Sequence, residues 1–182
     1  MSNFPFNENV SLLYLEHVPG NVPEVGGMYA TMPPEGPAVP VQLKRLGSGE
    51  QKVNSTAYFI VSRQELKPCV ELQWKIVPKQ GGGYTIECYL QPPVGLPVAW
   101  NNEGPKAGTP IKTYAPNDAS LYDVNIEDRY GEGWIISISP KDDYVMPGQS
   151  RFVGGSGEIV EIRAVPFYEN PPPHPGWFVT KA

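Results

Sequence analysis

The chain has 182 residues, 40% of them hydrophobic, and a formal net charge of −5; this is one core's worth of chain, read as a single domain over residues 1–182 with room for loop insertions. No basic cluster supplies the electrostatic footprint of a nucleic-acid binder, and no apolar run approaches the length that crosses a membrane. Proline and glycine number 22 and 19, which disfavours long helices, while the short apolar runs are rich in Val, Ile, Tyr and Trp, so the expected class is all-β.

In chain order, Met1-Ser2-Asn3-Phe4-Pro5-Phe6-Asn7-Glu8 lacks a positive segment followed by an apolar stretch. No secretory signal is read there, and a cytoplasmic location is expected. Leu12-Leu13-Tyr14-Leu15-Glu16-His17 forms a first strand, Met28-Tyr29-Ala30 a second and Val39-Pro40-Val41-Gln42-Leu43 a third. A long insertion, Gly47 to Cys69, precedes a fourth strand at Trp74-Lys75-Ile76 and holds an apolar run of its own, Tyr58-Phe59-Ile60-Val61. Further strands are expected at Tyr84-Thr85-Ile86, Pro97-Val98-Ala99-Trp100, Thr109-Pro110-Ile111-Lys112-Thr113, Arg151-Phe152-Val153 and Glu158-Ile159-Val160-Glu161-Ile162.

These segments repeat. A Trp-x-Ile/Val unit occurs at Trp74-Lys75-Ile76, Trp134-Ile135-Ile136 and Trp177-Phe178-Val179. Tyr84 and Tyr144 follow the first two at equal distance after turn-rich gaps, and Tyr14 would open the first unit in the same way. Tyr14 to Val41 and Tyr84 to Ile111 are equal intervals as well. Three units of four short strands make twelve, and alternation such as Val41/Leu43 against Gln42/Lys44 gives each strand one buried and one wet face. A twelve-strand closed barrel with a hairpin cap is the β-trefoil, whose connecting loops carry function.

Catalytic groupings are thin. His17 ends the first strand and His174 lies within Pro171-Pro172-Pro173-His174-Pro175; neither has a metal-ligand partner at useful spacing. Asp142-Asp143 and Glu127-Asp128 read as solvated charge, and Gly81-Gly82-Gly83 precedes a strand where a phosphate cradle requires a helix. Cys69 and Cys88 read as buried thiols, with a disulfide as the alternative, and Cys69 has no base nearby to make it a nucleophile. No enzyme activity, metal or cofactor is expected, and the chain reads as a monomer.

The loop after the first strand is more informative. Pro19, Gly20, Asn21, Val22, Pro23, Glu24, Val25, Gly26 and Gly27 combine two prolines, which limit the loop's freedom and lower the entropy cost of binding, with three glycines that allow close backbone approach. The alternative reading confines Gly26-Gly27 to a bend into the second strand.

At Gly26-Gly27-Met28-Tyr29-Ala30, followed by Val39-Pro40-Val41 and Leu46-Gly47, the chain resembles the macrocypins, which belong with the clitocypins among mushroom cysteine protease inhibitors. The tryptophan-centred fourth strand before Tyr84-Thr85-Ile86, and Trp177-Phe178 at the end, fit the same pattern. The resemblance implies a β-trefoil that inhibits papain-like proteases without a cofactor. Its wedge would be the loops joining strands 1–2 and 3–4, blocking the cleft on both sides of the catalytic cysteine. By position these are Pro19 to Gly27, and the loop from Ser48, Gly49, Glu50 and Gln51 to about Thr56. Some relatives also inhibit asparaginyl endopeptidase through an asparagine between strands 5 and 6; Gln91-Pro92-Pro93-Val94-Gly95-Leu96 has none. The connection between strands 3 and 4 is also longer here than in that family.

Two other functions compete. A trypsin inhibitor needs an exposed basic residue; Met32-Pro33-Pro34-Glu35-Gly36-Pro37-Ala38 contains none, which leaves Arg63, Lys67 or Lys106. A ricin-like lectin needs Gln two residues before each tryptophan, where this chain has Leu72, Glu132 and Pro175. One sugar site could still form from Trp100 with Asn101-Asn102.

Overall fold

The computed structural model describes residues 3–20, 23, 27–33, 35–45, 73–89, 97–168 and 172–182. These form twelve strands: β1 (Val10–Val18), β2 (Met28–Thr31), β3 (Gln42–Arg45), β4 (Lys75–Pro78), β5 (Tyr84–Tyr89), β6 (Pro97–Asn102), β7 (Ile111–Tyr114), β8 (Tyr122–Tyr130), β9 (Gly133–Pro140), β10 (Gln149–Ser156), β11 (Ile159–Pro166) and β12 (His174–Lys181). Among the described residues there is no α-helix, only a 3-10 turn at Pro116–Asp118. The all-β expectation is therefore borne out.

Local sequence explains the strands. In β7, Ile111 and Thr113 are buried while Lys112 and Tyr114 are half-buried, the two-residue period of a strand with one face inward. In β9 the period is lost because both faces are covered: Trp134, Ile136 and Ile138 face the main core, and Ile135 packs with Leu15, Val18 and Phe178.

The strands join antiparallel in the order β10-β11-β3-β2-β1-β12-β9-β8-β5-β6-β7, with β4 on β5. A single bridge, Val10 to Trp74, brings β1 against the start of β4, leaving a barrel-like, nearly closed sheet. The barrel strands run β4, β5, β8, β9, β12, β1 around this ring. The hairpins β2–β3, β6–β7 and β10–β11 meet one another through Pro40 with Lys112, Pro110 with Glu161, and Ile159 with Gln42. Backbone bonds hold that junction, among them Val41 N–H to the Ile111 carbonyl at 2.8 Å, Ile162 N–H to Thr109 at 2.9 Å, and Val160 N–H to Val41 at 2.9 Å.

Four large aromatic residues fill the centre. Trp74, Trp100, Tyr122 and Trp177 have no solvent exposure. Trp100 is their common neighbour, with ring centroids 5.4 Å from Trp74, 6.2 Å from Tyr122 and 5.9 Å from Trp177. The N-terminal segment closes the barrel on one side. There Phe4 meets Trp134 at 5.6 Å and Phe6 stacks on Tyr84 at 5.1 Å.

The expected equivalence of the three Trp-x-Ile/Val units needs correction. Trp74 directly precedes β4 and Trp177 lies in β12, but Trp134 lies in β9, the strand that follows the β8 turn. The position matching Trp74 is taken by Tyr122, which pairs with Tyr84 near the start of β5 as Trp74 pairs with Val10 near the start of β1. Tyr144 opens no strand; it sits in the β9–β10 connection with the Arg151 guanidinium 5.1 Å from its ring. A three-residue apolar pattern is the same on a strand entering the barrel and on one leaving it, so spacing alone could not separate them. The insertion Gly47 to Cys69, with Tyr58–Val61, lies outside the described residues.

Candidate functional site

The two loops singled out in the sequence have their roots side by side. β1 ends at Val18, which is buried and pairs with His174. Pro19 and Gly20 are exposed beyond it, with Gly20 at φ +141°, a conformation that side chains rarely adopt. The chain re-enters the sheet at Met28, and Met28 pairs with Arg45, the last residue of β3. The first loop thus ends directly across from where the second begins. Pro23 and Gly27 are half-buried. Asn21, Val22, Glu24, Val25, Gly26, Ser48, Gly49, Glu50 and Gln51 lie outside the described residues, as do Arg63, Lys67, Cys69 and Gln91–Leu96.

The surroundings of His174, the partner of Val18, are packed and polar. The His174 ring stacks on Phe152 with centroids 4.3 Å apart and planes 3° from parallel. Its Nε2 is 4.0 Å from Glu127 Oε1, and the same carboxylate oxygen accepts a hydrogen bond from the Ser137 hydroxyl. A serine, a histidine and a glutamate therefore meet, but the carboxylate stands between hydroxyl and imidazole. The imidazole cannot take the hydroxyl proton, and Ser137 is 1% exposed, so the trio ties β8, β9 and β12 together and is not wired as a nucleophile with its base. Burial raises the Tyr29 phenol above its ordinary value, so this side chain of β2 stays uncharged at neutral pH. His17 is exposed.

Elsewhere, Cys88 is buried in β5, and burial pushes its thiol up to about 11, far from the reactive thiolate range. Among the described residues no three His, Cys, Asp or Glu side chains gather as metal ligands. Trp100 is fully buried, so it has no face to offer a sugar. Asn101 and Asn102 donate to the carbonyls of Asp118 and Gly104, within the fold. Lys106 is exposed in the β6–β7 connection, where its carbonyl accepts from Thr109 N–H at 3.1 Å.

A second pair of loops, β9–β10 and β11–β12, displays apolar side chains that the sequence reading did not single out. Val145 is 79% exposed, Phe167 68% and Tyr168 62%. Phe167 N–H donates to the Gly148 carbonyl at 2.8 Å, joining the two loops. Arg151 braces the first of them, donating to both Asp142 carboxylate oxygens, to the Tyr144 carbonyl at 2.8 Å and to the Pro105 carbonyl at 2.9 Å. Proximity in sequence signals none of this, because Pro105 and Arg151 come together only through the packing of separate hairpins. No family model matches this sequence, and comparison with curated proteins likewise finds no match.

Proposed function

We propose that this chain is a β-trefoil inhibitor of papain-like cysteine proteases, acting through a wedge formed by the β1–β2 and β3–β4 loops. The observation that carries the reading is the pairing of Met28 with Arg45. A wedge that occupies a cleft on both sides of a nucleophile needs two loops springing from neighbouring points, and this register puts the end of one loop opposite the start of the other. The trefoil reading is supported by the ring of six barrel strands and by the mutual pairing of the three hairpins. The resemblance at Gly26-Gly27-Met28-Tyr29-Ala30 supplies the protease class.

Inhibition by this route is steric. No side chain of the inhibitor reacts, and affinity comes from surface buried by a loop whose freedom is already restricted. An uncharged Tyr29 and the two loop prolines Pro19 and Pro23 suit that role. The cysteine of the protease would be covered without being attacked, so inhibition would be reversible and independent of any metal or cofactor.

Residual papain activity titrated with the purified protein tests the proposal, with trypsin and asparaginyl endopeptidase run in parallel. Stoichiometric loss of papain activity, weakened by Gly26→Trp or Gly27→Trp, is the expected result. Unchanged papain activity at micromolar inhibitor would overturn it. Trypsin inhibition abolished by Lys106→Ala would assign the chain to serine proteases instead.

A further inference from the structure

Trp74 and Trp177 each send the indole N–H to a hairpin carbonyl, Ala30 and Val153, at 2.9 Å in both cases. The sheet registers that pair Ala30 with Leu43 and Val153 with Ile162 pair Trp100 with Thr113 in the β6–β7 hairpin. At that third place the indole belongs to the hairpin strand, and the barrel strand offers Tyr122. Among the described residues this part of the core also holds two buried side-chain atoms without a hydrogen-bond partner, Trp100 Nε1 and Asn102 Oδ1, and the buried Tyr122 Oη, whose polar neighbour is the Ser120 hydroxyl. A buried polar atom left unpaired forfeits its hydration without compensation, so the gathering of these groups in one neighbourhood calls for a ligand.

The three belong to two strands stitched together by short contacts. Ser120 N–H donates to the Trp100 carbonyl at 3.0 Å, and Asn102 N–H donates to the Ser120 hydroxyl oxygen, also at 3.0 Å. Trp100 and Asn102 lie two residues apart on β6 and so on one face of it. The Trp100 and Tyr122 rings meet edge to face at 87°. The Ser120 hydroxyl lies close to the Tyr122 phenol as well, while burial drives that phenol's pKa strongly upward and keeps it a neutral donor.

We propose that Trp100, Asn102 and Tyr122, with Ser120 beside them, form a site for a buried water molecule that links the β6–β7 hairpin to β8. The chemistry matches one water. The indole N–H and the phenol O–H are two donors, Asn102 Oδ1 is an acceptor, and water accepts two hydrogen bonds while donating two. Its second proton is directed at the Ser120 oxygen. Internal waters of this kind make about three bonds to otherwise unsatisfied groups and are hard to remove.

The test combines detection and coupling in the intact protein. A through-space NMR cross-peak between the Trp100 indole proton and a long-lived water is expected, and a crystal structure that orders waters should show density within hydrogen-bond reach of all three atoms. Tyr122→Phe, which preserves the packing, should lower the folding equilibrium constant about tenfold. Asn102→Leu should do the same, and the double variant should lose far less than the product, because both groups hold one water. Absence of the cross-peak and of the density would overturn the proposal. So would independent, fully multiplicative effects of the two substitutions.

Discussion

Phe6 stacks on Tyr84 with ring centroids 5.1 Å apart and planes only 12° from parallel. Through this contact and the one between Phe4 and Trp134, the N-terminal segment covers one side of the barrel, and Asn7 N–H donates to the Ile76 carbonyl at 3.1 Å. Phe6→Ala should therefore destabilise the protein by about 2 kcal/mol, below the full-burial range because Phe6 is only half-buried. Urea unfolding followed by circular dichroism reads this directly, and a change under 0.5 kcal/mol would show the segment to be dispensable.

Gly176 lies opposite Leu15 where β12 crosses β1. A Cβ there would stand 2.6 Å from Val18 Cγ2 and 2.9 Å from the Ile136 carbonyl oxygen. The carbonyl belongs to a paired strand and cannot turn aside, so Gly176→Ala should cost about 1–3 kcal/mol by overpacking. Because Val18 is the last residue before the first loop, the same variant is expected to weaken papain inhibition even where it remains folded. A thermal melt and a papain titration on one preparation separate the two effects.

The hydrogen bond from Arg151 holds the Asp142 carboxyl below its ordinary value, with burial opposing and the Tyr144 backbone N–H assisting. A carboxylate depressed in the folded state adds stability above its unfolded pKa and loses that stability as pH falls through the folded pKa. Asp142→Asn should thus be less stable than the wild type by about 1 kcal/mol at neutral pH, with the gap closing in the acid range below the ordinary carboxylate value. A gap that stays constant from neutral to acid pH would rule out the ion pair as its source.

The chain has four tryptophans, and all are 0–5% exposed. Native fluorescence should be poorly quenched by iodide and become readily quenched on unfolding. Strong native quenching would contradict the placement of Trp100 at the core centre.

Phe167 and Tyr168 are well exposed on the second loop pair. Phe167→Ser and Tyr168→Ser should change stability by less than about 0.5 kcal/mol and leave papain inhibition intact, since the proposed wedge is elsewhere. Loss of inhibition in either variant would move the protease-binding surface to the β11–β12 loop.

Much of the strand framework was legible in the residues. Proline and glycine spacing marked the turns, and alternation at Val41-Gln42-Leu43 and Ile111-Lys112-Thr113 marked the strands, because both signals are local. The third unit misled for the same reason. Trp134 carries the same short pattern as Trp74 and Trp177, yet β8 and β9 form a long hairpin in which Trp134 pairs with Arg129, and the matching core position falls to Tyr122. Tyr122 stands in Leu121-Tyr122-Asp123-Val124, where nothing local distinguishes a buried tyrosine from an exposed one.

At the candidate site the division follows the same physics. Composition and alternation by themselves determined the all-β class and the placing of many strands, since each depends on the conformational preferences of adjacent residues. Which strands lie side by side was decided only by tertiary structure: Met28 opposite Arg45, Val18 opposite His174, and Arg151 reaching Pro105. Register is chosen by how side chains distant in sequence fill a common core, and a one-residue slip would turn every strand's apolar face outward.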